Sequence, residues 1–165
     1  MQVARTPRLI LRQLTTADAS FILALLNSQG FIENIGDKGV RTLAQARSYI
    51  TDGPMKSYAE CGFGLYAVVL AHNGFCIGVC GLIKRPQLND VDIGYALLPQ
   101  YWGQGYTFEA AKASLDLRKS LGIKRIVAIV NSQNSASKAL LNKLGLHFEQ
   151  CLQLSPDDAP VELFS

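Results

Sequence analysis

The amino-acid sequence predicts a mixed α+β fold, a central sheet of about six or seven strands flanked by about four helices. Three observations lead there. Asn73-Gly74 separates two apolar runs of strand length, the signature of a tight hairpin. The second half of the chain reads strand, helix, strand, helix, strand. Within it, residues 90–130 form a strand–helix–strand unit that requires one parallel crossover.

In chain order, Leu9-Ile10-Leu11-Arg12-Gln13-Leu14 reads as a first strand, and Thr15 or Thr16 as the N-cap of an apolar helix over 18–27. Residues 29–41 read as a loop, because glycines and charges break any period. A helix over 43–51 is expected to stop at Asp52-Gly53-Pro54, with a helical turn around 55–60. The hairpin strands are 65–71 and 75–83. A strand over 90–98 follows the turn at Arg85-Pro86-Gln87 and ends at Pro99, which cannot donate to a ladder. A helix over 105–121 is capped by Gly122, followed by a strand over 123–130. A helix over 135–144 ends at Gly145, and 146–154 and 161–164 close the sheet. One domain over 1–165 is expected.

Composition narrows the function classes. Hydrophobic residues at 48% and charged residues at 18% exclude a disordered chain and a coiled coil. A net charge of +3 is too weak to mark a nucleic-acid or membrane-surface binder. Residues 61–83 carry no Lys, Arg, Asp or Glu and are long enough to cross a bilayer, but the Asn-Gly at their centre divides them into two buried strands. Near the N-terminus the longest apolar run, Leu9-Ile10-Leu11, is cut short by Arg12, so no signal peptide is expected. Cys76 and Cys80 are placed on one strand face, too far apart to bond. No second close Cys or His pair joins them and His72 into a zinc site. With Cys61 and Cys151 they are expected to be buried, reduced thiols of a cytoplasmic protein without a metal.

The segment that carries chemistry is Gln100-Tyr101-Trp102-Gly103-Gln104-Gly105-Tyr106, between a strand and the start of a helix. A Gly-rich turn there presents unpaired N–H groups at the positive end of the helix dipole, a seat for phosphate or pyrophosphate. A dinucleotide fingerprint is a poor fit, since Phe108 stands where the third Gly or Ala belongs and Ile123-Lys124-Arg125 where the acidic residue belongs. A P-loop fails because no Gly-Lys-Ser/Thr follows.

Gln100, Gly103 and Gly105 match position for position the pyrophosphate loop of the GNAT acyltransferases, and the chain resembles that family. The run from Asp92 to Tyr106 with Glu109-Ala110 is similar to the branch that acetylates ribosomal-protein N-termini. So is the opening from Thr6 to Leu14 followed by Ala17-Asp18. Asn134, Ser137 and Leu144-Gly145 are a third match. The resemblance implies that the strand carrying Ala96, Leu97 and Leu98 splays from its neighbour and offers its backbone to a pantetheine arm. The thioester carbonyl would lean on an N–H near Leu97, and the pyrophosphate on the N–H groups of Gly103, Gln104, Gly105, Tyr106 and Thr107. Asn134 and Ser137 would face the cofactor from the other side, with Lys138 a partner for its nucleotide end.

Amine acetylation needs a neutral amine. An α-amino group, with a pKa of about 7.7–8.0, reaches that state more easily than a lysine side chain at about 10.4. Many members of the family use a tyrosine seven positions after the asparagine, where this chain has Leu141; the resembled branch uses a serine, here Ser137, as the acid. Asp92, Glu33 or a water chain remain as the base. Glu109 reads as a helix-start residue, His147 as a sheet-edge residue, and Tyr101 and Trp102 as packing. Tyr95 shares a strand face with Leu97 and points to the acceptor pocket.

The function expected is an acetyl-CoA-dependent N-acetyltransferase working by direct attack of a primary amine, foremost a protein N-terminal α-amine, on the thioester. Neither nucleic acid nor membrane is an expected partner, and the protein would be a monomer or homodimer. The alternatives are a small-amine acetyltransferase for an antibiotic or polyamine, and a CoA-binding module without turnover.

Overall fold

The computed structural model describes residues 1–165. Its eight strands are β1 (Gln2–Arg5), β2 (Leu9–Gln13), β3 (Leu65–Leu70), β4 (Cys76–Ile83), β5 (Val91–Leu97), β6 (Ile126–Val130), β7 (Phe148–Leu152) and β8 (Val161–Phe164). They form one sheet in the order β1-β2-β3-β4-β5-β6-β8-β7. Every neighbouring pair is antiparallel except β5 and β6, the expected parallel crossover.

Six helices flank the sheet: α1 (Ala19–Leu26), α2 (Gln29–Asn34), α3 (Leu43–Ile50), α4 (Lys56–Cys61), α5 (Tyr106–Asp116) and α6 (Ser135–Lys143). Strand alternation sorts the core into two layers. Leu9, Leu11, Val68, Cys80 and Ile93 face Ala110 and Ala111 of α5 and Leu141 of α6. Ala67, Val69 and Val79 face Ile22 and Leu25 of α1, Phe31 of α2 and Ile50 of α3. The small side chains of Ala110 and Ala111 let α5 lie close over the strands, where both are buried.

The structure departs from the sequence expectation in several places. The sheet gains β1, too short and too little apolar to announce itself, and it exists by pairing with β2. Part of the expected loop over 29–41 is α2, nucleated by burial of Phe31 rather than by any period. Asp52-Gly53-Pro54 does not stop the chain. A widened turn over 51–55 absorbs buried Pro54, which lacks an N–H, and α4 continues to Gly62. The helix after Gly105 ends at Asp116, and 117–122 finish it in tighter turns.

Residues 61–83 form the β3–β4 hairpin, and no helix is long and apolar enough to cross a membrane. A bulge in that hairpin corrects the expectation for its cysteines. Val68 pairs with Gly78 but Val69 with Cys76, so Ile77 is an extra residue and the alternation slips by one. Cys76 therefore faces α1, where its sulfur accepts from Arg12, while Cys80 packs beneath α5 beside Ser114. The two thiols lie on opposite faces. Nor are all four buried: Cys61 and Cys151 are exposed.

Thr15 caps the short 3-10 turn over Thr16–Asp18 that leads into α1, not α1 itself. Its hydroxyl accepts from the Ala17 N–H, and Asp18 returns a bond from the Thr15 N–H at 2.9 Å. Asp18 also takes both terminal nitrogens of Arg12, at 2.9 and 3.0 Å, tying β2 to the start of α1.

Candidate active site

The parallel pair β5–β6 opens into a wedge. Only Val91 pairs with Ile126 and Asp92 with Val127; beyond them β5 stays on β4 while β6 turns to β8. The Leu98 N–H donates to Ile77 of β4 at 2.9 Å. Successive N–H groups of a strand point to opposite edges, so the Leu97 N–H points the other way, into the wedge. The Leu97 carbonyl accepts from the Trp102 indole at 3.0 Å. Ala96 and Leu98 flank it on β5 and the turn beyond.

The glycine loop follows. Gly103 and Gly105 have φ of 75° and 81°, the left-handed region that side chains resist. No side chain caps α5. The N–H groups of Gly103, Gln104, Gly105, Tyr106 and Thr107 have no acceptor in the protein, which leaves five donors at the positive end of a helix. Gln100, exposed, accepts from the Gln104 side chain at 3.4 Å and closes the loop on itself.

Arg8, which the sequence reading passed over inside the opening motif, straps this loop from outside. Its guanidinium donates to the Gln104 carbonyl at 2.9 Å and to Glu109 at 3.2 Å, and lies 4.4 Å over the Tyr106 ring. Glu109 thus holds Arg8 near the helix start. Trp102 packs only in part: its ring covers Gly30 of α2, where an added Cβ would collide with the ring carbons, yet half of the side chain stays exposed. Tyr101 packs on the core beneath α5.

Across the wedge, Asn134 caps α6 by accepting from the Ser137 N–H at 3.1 Å. The Ser137 hydroxyl meets the Tyr95 hydroxyl of β5 at 2.7 Å. Tyr95 shares a face with Leu97, as read from the sequence; its hydroxyl reaches α6, and the residue also borders a cavity against β5. Burial pushes the Tyr95 phenol up to about 12, against the opposing bond to Ser137, so it stays protonated at neutral pH. Leu141, in place of a tyrosine, is fully buried core. Lys138 lies 2.7 Å from Glu162 of β8, so its charge is already partnered.

On the other face of β5 a cavity of about 850 Å³ opens between α1, α3 and strands β3–β5. Ile22, Leu25, Phe31 and Val79 give it an apolar lining, and Gly94, Tyr95 and Ala96 of β5 border it. Its charged residues are Lys38, Asp52, Lys84 and Arg85. Neither Asp92 nor Glu33 lines it. Asp92 is fully buried, with both oxygens accepting from Arg85 Nε at 3.0 and 3.1 Å; burial pushes its pKa up, against Arg85. Glu33 is exposed on α2 and accepts from Gln29 at 2.7 Å. His147 is exposed too, its ring beside Asn142.

A splayed parallel pair above a glycine-cradled helix start, with an open cavity behind the exposed strand edge, is the architecture of an acyltransferase that draws its acyl group from a long, phosphate-bearing carrier. The model of the acetyltransferase (GNAT) domain matches residues 8–147, and the chain belongs to that family. It is 29% identical over 153 residues to the uncharacterized N-acetyltransferase YoaA of Bacillus subtilis strain 168, covering 92% of this chain and 86% of that one. An acetyltransferase structure from Agrobacterium tumefaciens str. C58 superposes with a TM-score of 0.82 at 26% identity, over 99% of this chain and 92% of that one. The ribosomal L7/L12 alpha-N-protein acetyltransferase RimL in complex with coenzyme A shares the fold, with a TM-score of 0.83 at 20% identity over 99% and 96% of the two chains.

Proposed function

We propose that the protein moves the acetyl group of acetyl-CoA to an α-amine at a protein N-terminus, by direct attack of the amine on the thioester. The observation that carries this reading is that β5 and the turn after it bring together three features: five unpartnered N–H groups in the loop, the Leu97 N–H in the wedge, and a cavity bordered by Gly94, Tyr95 and Ala96.

Acetyl-CoA supplies an activated carbonyl, a thiolate leaving group and a pyrophosphate that anchors it. The loop donors, Gly103 to Thr107, suit the pyrophosphate because they are already oriented and no Cβ intrudes at the glycines. Lys138 is free to contribute only by leaving Glu162. The Leu97 N–H holds the oxygen on which charge develops, a role worth roughly 3–4 kcal/mol in comparable donors. Ser137, with Tyr95 behind it, passes its proton to the departing sulfur and is reprotonated through water by the proton that the amine releases.

No carboxylate other than Asp52 borders the cavity, and Asp92 is committed to Arg85. Water takes the proton, with Asp52 the one carboxylate at the cavity to which it could pass, an arrangement that suits an α-amine already partly neutral near pH 7.7–8.0 and not a lysine side chain. The fold is shared with RimL, a ribosomal L7/L12 alpha-N-protein acetyltransferase, and an α-amine acceptor is in keeping with that likeness. Three cations at the cavity weigh against a polyamine.

The test is thiol release from acetyl-CoA with N-terminal peptides, their Nα-blocked counterparts carrying lysine, and spermidine. Release with the free N-terminus alone is the expected result. Turnover confined to lysine side chains or spermidine would overturn the α-amine assignment, and tight cofactor binding with no release from any amine would indicate a silent CoA-binding module.

A further inference from the structure

We infer that the acceptor carries an anionic group close to its amine: an N-terminal segment with an apolar residue and an acidic side chain within its first few positions. This rests on the α-amine reading and narrows it.

The cavity is apolar except at its charged rim. Lys38, Lys84 and Arg85 stand there against one carboxylate, Asp52, and none of the three pairs with it. Lys84 Nζ donates to the Leu88 and Asn89 carbonyls at 3.4 and 3.0 Å, neutral partners that leave its charge uncompensated. Arg85 meets Asp92 through Nε alone, and its two terminal nitrogens have no acceptor. Asp92 thus fixes the guanidinium while its planar fork remains open to a second carboxylate, the geometry in which arginine binds best.

Lys38 lies on the segment between α2 and α3, exposed to water along part of its length, with no acidic partner. Its neighbour Asp37 is taken by Arg41 at 2.5 Å. Desolvation of its ammonium, and next the like charge of Arg85, hold the Lys38 pKa below its usual value. Two cations that repel across one cavity are relieved together by an anion placed between them. The volume, about 850 Å³, exceeds what a bare amine needs and has room for several residues of a peptide beyond the reacting end. Its apolar lining accepts a hydrophobic side chain on the same segment.

The test uses short peptides with a free amino end, an apolar residue, and Glu, Gln or Lys placed in turn at positions two to four. Two readouts are taken: kcat/KM from thiol release, and thermal stabilisation of the CoA-loaded protein, which needs no turnover. At one of these positions Glu should exceed Gln by about tenfold, with Lys below both. Lys38→Gln should remove most of that preference, and Lys38→Glu should turn it toward Lys. Lys38 is exposed and unpaired, so neither variant threatens the core. Equal values for Glu, Gln and Lys at every position, or a Glu preference that survives Lys38→Gln, Lys84→Gln and Arg85→Lys alike, would overturn the inference; Arg85→Lys keeps a cation for Asp92 and removes the fork. If neutral N-termini are acetylated without preference, the inference fails and the α-amine reading stands. If no peptide is used, but small amines bearing a carboxylate are favoured over their amides in a Lys38-dependent way, the anion requirement stands and the protein substrate falls.

Discussion

The Tyr95 and Ser137 hydroxyls meet at 2.7 Å across the wedge where β5 and β6 part, so side chains rejoin two elements that the sheet has released from each other. In the proposed reaction this pair supplies the donor that Leu141, buried in the core, cannot. Burial pushes the Tyr95 phenol up to about 12, so it stays protonated at neutral pH, and the proposed part for it is to hold Ser137 in position.

Ser137→Ala should lower kcat by about a hundredfold, within the range of general acid catalysis, and leave the Kd for acetyl-CoA nearly unchanged. Tyr95→Phe should lower kcat less, about tenfold, with no displacement of the pH–rate profile between pH 6 and 9. A profile that moves in Tyr95→Phe would show that the phenol itself exchanges the proton.

Gly105→Glu should raise the Kd for acetyl-CoA at least a hundredfold. It puts a carboxylate among the five donors and forces a side chain into a left-handed φ of 81°. Calorimetric titration reads this directly. Unaltered affinity would remove the loop from the cofactor site.

Arg8→Ala removes the strap on Gln104 and Glu109 while touching no donor of the loop. Acetyl-CoA affinity should fall about tenfold while Tm moves little, since the Arg8 side chain is 45% exposed. A large fall in Tm with intact affinity would make Arg8 a structural residue of the β2–α5 contact instead.

Asp18 sets a pH dependence. Burial alone would raise its pKa, but the Arg12 hydrogen bonds, the Thr15 N–H and the Arg12 charge outweigh burial and hold it below 3.8. A carboxyl depressed in the folded state adds stability that is full above its unfolded pKa and disappears as pH falls through the folded one. Asp18→Asn should therefore destabilise by about 2 kcal/mol at pH 7, and the gap from the natural protein should close below about pH 4. Urea unfolding at pH 7, 5 and 3 reads the difference; a gap that stays constant would exclude the linkage.

Trp102, the only tryptophan, lies on Gly30. Gly30→Ala should push the half-exposed indole off α2, break its bond to the Leu97 carbonyl and redden its fluorescence, with little change in Tm because the ring can swing into solvent. Unchanged emission would mean that the ring is not held there.

Much of this protein is determined by local sequence alone. The Asn73-Gly74 hairpin, the Thr15 cap, the β5–α5–β6 crossover and the glycine loop follow from turn chemistry, capping and periodicity, which act over a few residues. So does the number of strands to within one. Tertiary structure decided the rest. Arg8 reaches Glu109 from the far end of the chain, Gly30 matters only because Trp102 lands on it, and α2 exists because Phe31 is buried. One extra residue, Ile77, separated two thiols that spacing had put on one face. Asp92 and Glu33 looked equivalent as bases, yet folding commits one to Arg85 and leaves the other in solvent outside the cavity. Tyr95 and Ser137 are far apart in sequence and meet only because two strands diverge. Contacts of this kind depend on the placement of whole elements, which no short window of sequence contains, and in this protein they decide which side chains line the cavity against β5 and which are held away from it.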